Sequence, residues 1–164
     1  MKQQSGLANI RIESLRDTAR LAEKLARLAK PGTVIALDGD LGAGKTAFSQ
    51  SFAAAIGVQG VVNSPTFTII KEYQGEQLPF YHMDVYRLSA DEADELGLDD
   101  YFYGSGVTVV EWASLITELL PPHRLELYIE HLGGEARLIR MKGLGEPYVH
   151  WCEGWDRMGA TEHE

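Results

Sequence analysis

The sequence predicts an α/β fold: a three-layer sandwich around a mainly parallel sheet, with an antiparallel C-terminal hairpin. Three observations predict it. Short apolar, β-branched runs such as "TVIALDG" (33–39) and "GVTVVEW" (106–112) read as buried strands. Stretches of helical periodicity separate such runs, the pattern of strands joined by crossover helices. Near the end, "LELYIEHL" and "EARLIRMKG" alternate polar and apolar residues and meet at Gly133-Gly134, a hairpin signal. That hairpin predicts one antiparallel margin.

In chain order, "LANIRI" (7–12) predicts a short first strand. Ser14 and Asp17 have the spacing of a capping box that opens a helix. In "LRDTARLAEKLARLAKPG" that helix puts Leu15, Ala19, Ala22, Ala26 and Ala29 on one face, widened by Leu21, Leu25 and Leu28. Pro31-Gly32 stops it. After the strand at 33–39, a second helix runs from about Gly44 to Ile56, where Gly57 ends it. "FTIIKEY" (67–73) and "LPFYHMDVYRL" (78–88) are rich in β-formers and read as strands. "SADEADELGLDDYF" (89–102) predicts one acidic helix with a capping box from Ser89 and Glu92. "SLITELLPPHR" predicts a helix ended by its proline pair. Residues 1–142 form the expected domain. Residues 143–164 are expected as a partly ordered tail, polar apart from three aromatics.

Composition excludes several classes. At 164 residues, 45% apolar and 24% charged, the chain has the size of one soluble domain with a real core. A net charge of -9 argues against a protein that grips a nucleic-acid backbone unaided. The single cysteine, Cys152, allows no intramolecular disulfide and reads as a bystander. No apolar run approaches the ~18 residues of a membrane span, and the N-terminus lacks a signal-peptide core. A cytoplasmic protein without membrane association is expected.

Chemistry enters at Gly39-Asp40-Leu41-Gly42-Ala43-Gly44-Lys45-Thr46, which fits G-x-x-x-x-G-K-[ST] at every defined position. A polyphosphate is compact, anionic and rich in acceptors. A loop that curls around it must turn successive backbone N–H groups inward, which side chains at Gly42 and Gly44 would obstruct. The following helix adds a dipole and free donors. Lys45 supplies a point charge to the terminal phosphates, and the Thr46 hydroxyl can join a Mg²⁺ shell. The motif lies between a strand pattern and a helix pattern, which makes the fold P-loop NTPase-like.

A nucleotide-triphosphate enzyme also needs acidic groups near its metal and something to orient the attacking group. "VTVVE" has the form of a Walker B strand, so Glu111 is a candidate Mg²⁺ ligand, directly or through water. "FYHMD" puts Asp84 at another strand end, as second carboxylate or water-positioning base. Both belong at the carboxyl edge of the sheet, where ligands of open α/β sheets bind. In "NSPTF" (63–67), Thr66 is a candidate switch residue that reaches Mg²⁺ or the terminal phosphate. His82 reads as structural.

Absences narrow the choice. No guanine-specific N-K-x-D occurs, and "DELG" (94–97) lies in the acidic stretch, away from a strand end. A small-molecule kinase would close an arginine-bearing lid, but Arg137 and Arg140 fall in a strand pattern. A nucleotide-gated binding module without meaningful hydrolysis stays open on the residues alone. Arg87 or a partner would have to supply an arginine finger.

The set "GDLGAGKT", "SPTF", "YHMDVYRL", "LGLDDYF" and "VVEW", in this order and spacing, resembles the TsaE family over about residues 7–140. The resemblance implies a compact ATPase, slow or silent alone, needed to make threonylcarbamoyladenosine at position 37 of tRNA. It implies TsaD-like and TsaB-like partners, with the tRNA engaged only through them. The ATP cycle would reset or regulate that pair, which performs the transfer. By motif, Leu41, Gly42, Ala43, Gly44, Lys45, Thr46 and Ala47 would bind ATP, with Thr46 and Glu111 at Mg²⁺. Lys45, Asp84 and Thr66 would serve hydrolysis and switching. Leu15 and Thr18 on the N-terminal helix would lie on the base side, and Arg137 would be a late contact to the nucleotide. Trp112 would pack beside the site. Ala47 stands where many relatives repeat threonine, which removes a hydroxyl near the α-phosphate.

Overall fold

The structure is a computed structural model that describes residues 5–40, 42, 44–60, 62 and 69–153. Its elements are β1 (Ser5–Ile12), α1 (Leu15–Leu28), β2 (Val34–Gly39), α2 (Lys45–Ala55), β3 (Ile70–Gln74), β4 (Pro79–Asp84), α3 (Ala90–Asp94), α4 (Asp99–Phe102), β5 (Val107–Glu111), a 3-10 helix (Ala113–Leu119), β6 (Arg124–Gly133) and β7 (Ala136–Leu144). A last helix, α5, spans 148–153.

The strands form one seven-stranded sheet in the order β1-β7-β6-β2-β5-β4-β3. Its centre is parallel, β6 to β2 to β5 to β4. The expected hairpin β6–β7 is antiparallel; Gly133 ends β6 opposite Ala136, and the turn falls on Gly134 and Glu135, one residue later than the paired glycines suggested. Both margins are antiparallel, which corrects the expectation of one: β1 pairs with β7, and β3 folds back on β4. A run such as "FTIIKEY" carries no mark of strand direction. The four residues between β3 and β4 impose it, since a parallel return needs a longer crossover.

Period-2 alternation divides the core into two layers. Ile35, Leu37, Val107, Val109, Leu125 and Phe80 point to the side covered by α1 and α2. Val34, Ala36, Val110 and Met83 point to the other side, covered by α3, α4 and the 3-10 helix. Beneath α2 an aromatic row runs Phe48, Phe52, Phe80, His82, with centroids 5.9–6.1 Å apart. Each such pair adds about 0.5–1.5 kcal/mol beyond burial, so the row pins α2 to the strands it crosses.

Several local expectations change. The acidic stretch 89–102 splits into α3 and α4, with a turn over residues 95–98 in which Gly97 has φ 67°. The Ser89–Glu92 capping box is complete. At α1, Ser14 makes no side-chain cap, and Asp17 accepts instead from the Glu13 backbone N–H at 2.9 Å. Residues 113–119 form a 3-10 helix with a non-helical Ile116, not an α-helix. β4 stops at Asp84, where the chain turns.

The segment expected as a tail from residue 143 begins inside β7, and α5 follows it. Tyr148, Trp151 and Cys152 of α5 join the larger core cluster. The Tyr148 hydroxyl accepts from the Val34 N–H at 3.0 Å, satisfying the first donor of β2. Among the described residues, no helix is long and apolar enough to cross a membrane.

Candidate functional site

The register of the parallel strands builds the site. Leu37 and Asp84 both pair with Glu111, so the ends of β2, β4 and β5 lie side by side at the carboxyl edge. Alternation then sets the faces. His82 and Asp84 share the face of Phe80, and Glu111 shares the face of Val109; both sets point toward α2. Asp38 points the other way, where it accepts from the Ser114 N–H and hydroxyl at 2.8–3.1 Å.

The glycine-rich loop leaves β2 at Gly39. A Cβ there would meet the Ile129 carbonyl at 2.6 Å, so glycine is needed for β2 to lie against β6. Gly42 and Gly44 are needed for a different reason: their φ values of 77° and 114° are left-handed, and among the described residues nothing lies within 4 Å of the added Cβ. Gly44 caps α2 without a side-chain bond, and the first turn of α2 carries no acid. Its leading N–H groups and positive dipole end therefore suit an anion. Leu41 and Ala43 lie outside the described residues, as does Thr66.

Lys45 is buried, 5% exposed. Its Nζ donates to the carbonyls of Gly39 at 3.2 Å and Asp40 at 3.1 Å, and lies 4.1 Å from the centroid of the Trp112 ring. Burial lowers its pKa, while Glu111, Asp38, Asp40 and Asp84 oppose that shift. Trp112 is the one non-glycine residue with positive φ (64°) among the described residues. Its N–H donates to the Leu37 carbonyl at 2.9 Å, and its ring packs on Tyr86 at 4.7 Å. The backbone conformation is costly for tryptophan, and it lays the ring beneath the lysine.

Glu111 does not simply emerge at the edge. It is 2% exposed, and its Oε2 lies 2.5 Å from His82 Nε2 and 3.2 Å from the Ser49 hydroxyl. Asp84 is half-buried and accepts from the Tyr86 N–H at 3.0 Å. Burial raises its pKa, the Tyr86 bond counters this, and the Glu111 charge adds to the rise. Asp40 accepts from the Tyr128 hydroxyl at 2.9 Å and the His131 N–H at 3.3 Å, and these bonds hold its pKa down.

Leu15, Thr18, Ala47 and Arg137 line one pocket with Gly44, beside the start of α2. Thr18 is buried and Leu15 is 67% exposed, so the pocket has an open apolar lip. Glu135 also lines it and has no sequence signal of its own. Thr46 follows Lys45 in the first turn of α2. Among the described residues, no three His, Cys, Asp or Glu side chains converge as a metal cage. A divalent cation here would take few protein oxygens and draw the rest from phosphate and water, the habit of Mg²⁺. The hard oxygen donors Thr46, Glu111 and Asp84 fit that ion.

Sequence reasoning assigned no site role to His82, Ser49, Tyr86, Asp38 or Tyr128. Two of these carried a signal. His82 is two residues before Asp84 on a strand, and Ser49 is four after Lys45 on a helix, so each shares a face with a candidate residue.

The family model described as threonylcarbamoyl adenosine biosynthesis protein TsaE matches residues 12–139. The tRNA threonylcarbamoyladenosine biosynthesis protein TsaE of Bacillus subtilis (strain 168) is 52% identical over 141 residues, 86% of this chain and 89% of that one. The protein of the same name from Treponema pallidum (strain Nichols) is 39% identical over 127 residues, 77% of this chain and 93% of that one. The crystal structure of Bacillus subtilis YdiB superposes with a TM-score of 0.81 at 44% identity, covering 95% of this chain and 98% of that one. A match over most of the chain, together with a shared fold, places it: the chain belongs to the TsaE family.

Proposed function

We propose that this chain is a cytoplasmic, Mg²⁺-dependent ATPase that serves threonylcarbamoylation of tRNA adenosine 37. It acts on a TsaD–TsaB-like complex as a nucleotide-driven regulator or reset factor, while the complex performs the transfer and holds the tRNA. The observation that carries the ATP reading is the placement of Lys45. It is a buried ammonium at the mouth of a glycine-rich loop, drawn by the charges of four carboxylates and, among the described residues, held by two backbone carbonyls and an aromatic face.

Each residue then has a task. Gly42, Gly44 and the first residues of α2 would present N–H groups to the phosphate chain, and the α2 dipole would add to their pull. Lys45 exchanges the Gly39 and Asp40 carbonyls for the β- and γ-phosphate oxygens, which match its charge better. Thr46 and Glu111 would hold Mg²⁺, which supplies charge neutralisation across the β- and γ-phosphates. Asp84 orients the attacking water and accepts its proton. Its raised pKa makes it a stronger base than an exposed aspartate. Thr66 senses the terminal phosphate. The pocket of Leu15, Thr18, Ala47 and Arg137 takes the base side of the nucleotide. Slow turnover alone follows if the charge developing on the γ-phosphate is met by a partner or by exposed Arg87.

ATP hydrolysis by the purified chain, alone and with a TsaD–TsaB pair, tests this reading, with Lys45→Ala as control. Turnover that is low alone and raised several-fold by the pair is expected. Turnover indifferent to the pair, or γ-phosphate transfer to a metabolite, overturns it.

A further inference from the structure

We propose that His82 is a positioning residue for Glu111: its imidazole fixes which carboxylate oxygen of Glu111 is free to face a bound cation. The proposal rests on the assignment of Glu111 to Mg²⁺ made above. His82 lies fully buried on β4, inside the face covered by α2. Its Nε2 is 2.5 Å from Glu111 Oε2, the shorter of the two contacts to that oxygen. The other comes from Ser49, whose single hydroxyl proton is shared with the Lys45 carbonyl at 3.1 Å. Ser49 can serve one acceptor at a time, so the constant donor to Glu111 is His82.

The opposite ring nitrogen decides the tautomer. His82 Nδ1 is buried and has no hydrogen-bond partner among the described residues. A proton on Nδ1 would leave an N–H unmet in the core, whereas a bare Nδ1 leaves only a lone pair unmet. The ring therefore carries its proton on Nε2 and donates it to Glu111. Phe80 stacks on the imidazole at 5.9 Å and 23° and prevents it from tilting away. One carboxylate oxygen is thereby tied inward, under α2, and the carboxylate is held from rotating. Outer partners of this kind orient a ligand oxygen, and their loss typically weakens metal binding about 10–100-fold.

The test uses Mn²⁺ as an EPR-active stand-in for Mg²⁺, titrated onto the full chain saturated with ADP. His82→Phe keeps the stacking on Phe80 and removes the donor; His82→Gln restores an N–H near the position of Nε2. Expected are Mn²⁺ binding weakened about 10-fold or more in His82→Phe and within about threefold of the parent in His82→Gln. ADP affinity without metal is expected to stay within about twofold in both, since neither variant touches the phosphate loop. Glu111→Gln is the control. Weakened Mn²⁺ binding in Glu111→Gln but not in His82→Phe overturns the positioning role alone. Unchanged binding in both overturns the assignment of Glu111 and this proposal with it. Should His82→Phe fail to fold, ¹⁵N NMR of the parent imidazole decides. A protonated Nε2 with bare Nδ1, lost in Glu111→Gln, is expected; a protonated Nδ1 overturns the proposal.

Discussion

The ammonium of Lys45 lies 4.1 Å from the centre of the Trp112 ring, while the same nitrogen holds the carbonyls of Gly39 and Asp40. Sixty-odd residues separate the two in sequence, and the left-handed backbone of Trp112 is what lays the ring there. The fold itself thus holds the lysine desolvated and along the loop, which for the proposed phosphate ligand would lower the ordering cost of binding.

Lys45→Ala is expected to lower ATP affinity by at least 10-fold and turnover by roughly 100-fold or more, as for loss of one charge-stabilising donor. Titration calorimetry and phosphate release measure the two effects. Retention of both at parental values contradicts the role given to the loop. In cells depleted of the parent protein, the same variant is expected to leave adenosine 37 unmodified.

Asp84→Asn separates binding from hydrolysis. ATP affinity should change less than about threefold, while turnover in the presence of partners falls by about 100-fold or more. The variant is also expected to be more stable at pH 7. Burial and the Glu111 charge raise the folded-state pKa of Asp84 above its ordinary 3.8, so the folded state binds the proton more tightly than the unfolded chain. Stability therefore falls as pH rises through that window, and the cost of the ionised carboxylate is fully present above it. A Tm gain of about 1–3 °C at pH 7, vanishing below about pH 4, is the expected signature in a thermal melt.

Tyr128→Phe removes the hydroxyl that donates to Asp40 in the loop. The His131 N–H still holds that carboxylate. A loss of roughly twofold to fivefold in nucleotide affinity is expected, with Tm unchanged within about 1 °C. A larger fall in Tm than in affinity would mean the bond serves the sheet and not the loop.

Trp151→Ala tests whether α5 belongs to the folded unit. Trp151 is 6% exposed, packs edge-to-face on Tyr148 at 4.9 Å, and lies in the larger core cluster. Its truncation is expected to cost about 3–5 kcal/mol in urea denaturation. A cost under 1 kcal/mol would return residues 148–153 to the status of a tail.

The strands with strong patterns were legible: "TVIALDG" and "GVTVVEW" are β2 and β5 to within a residue or two. The helix boundaries of α1 and α2 were legible from Pro31-Gly32 and Gly57. The segment 89–102 was not, because its acidic residues satisfy helical composition while Gly97 quietly takes a left-handed turn. The stretch 113–119 shows apolar spacing compatible with either helix type, and the kink at Ile116 is a packing outcome. Tyr148, Trp151 and Cys152 look scattered in sequence because a single short turn carries too few residues to show a period.

By itself the sequence determined the loop, its two left-handed glycines, the lysine and the two carboxylates, because each is a local requirement of backbone geometry or of strand ends. It also determined the family, through the order and spacing of motifs. Only the tertiary structure decided how those carboxylates stand. Strand register set Asp84 beside Glu111, and the packing of α2 buried Glu111 against His82 and Ser49. The turn after β5 put Trp112 under Lys45, and the packing of α1 on α2 beside the start of β7 gathered Leu15, Thr18, Ala47 and Arg137 into one pocket. These are contacts between residues tens of positions apart, and no local pattern encodes them. They arise when a period-2 sheet and period-3.6 helices bury their apolar faces against each other.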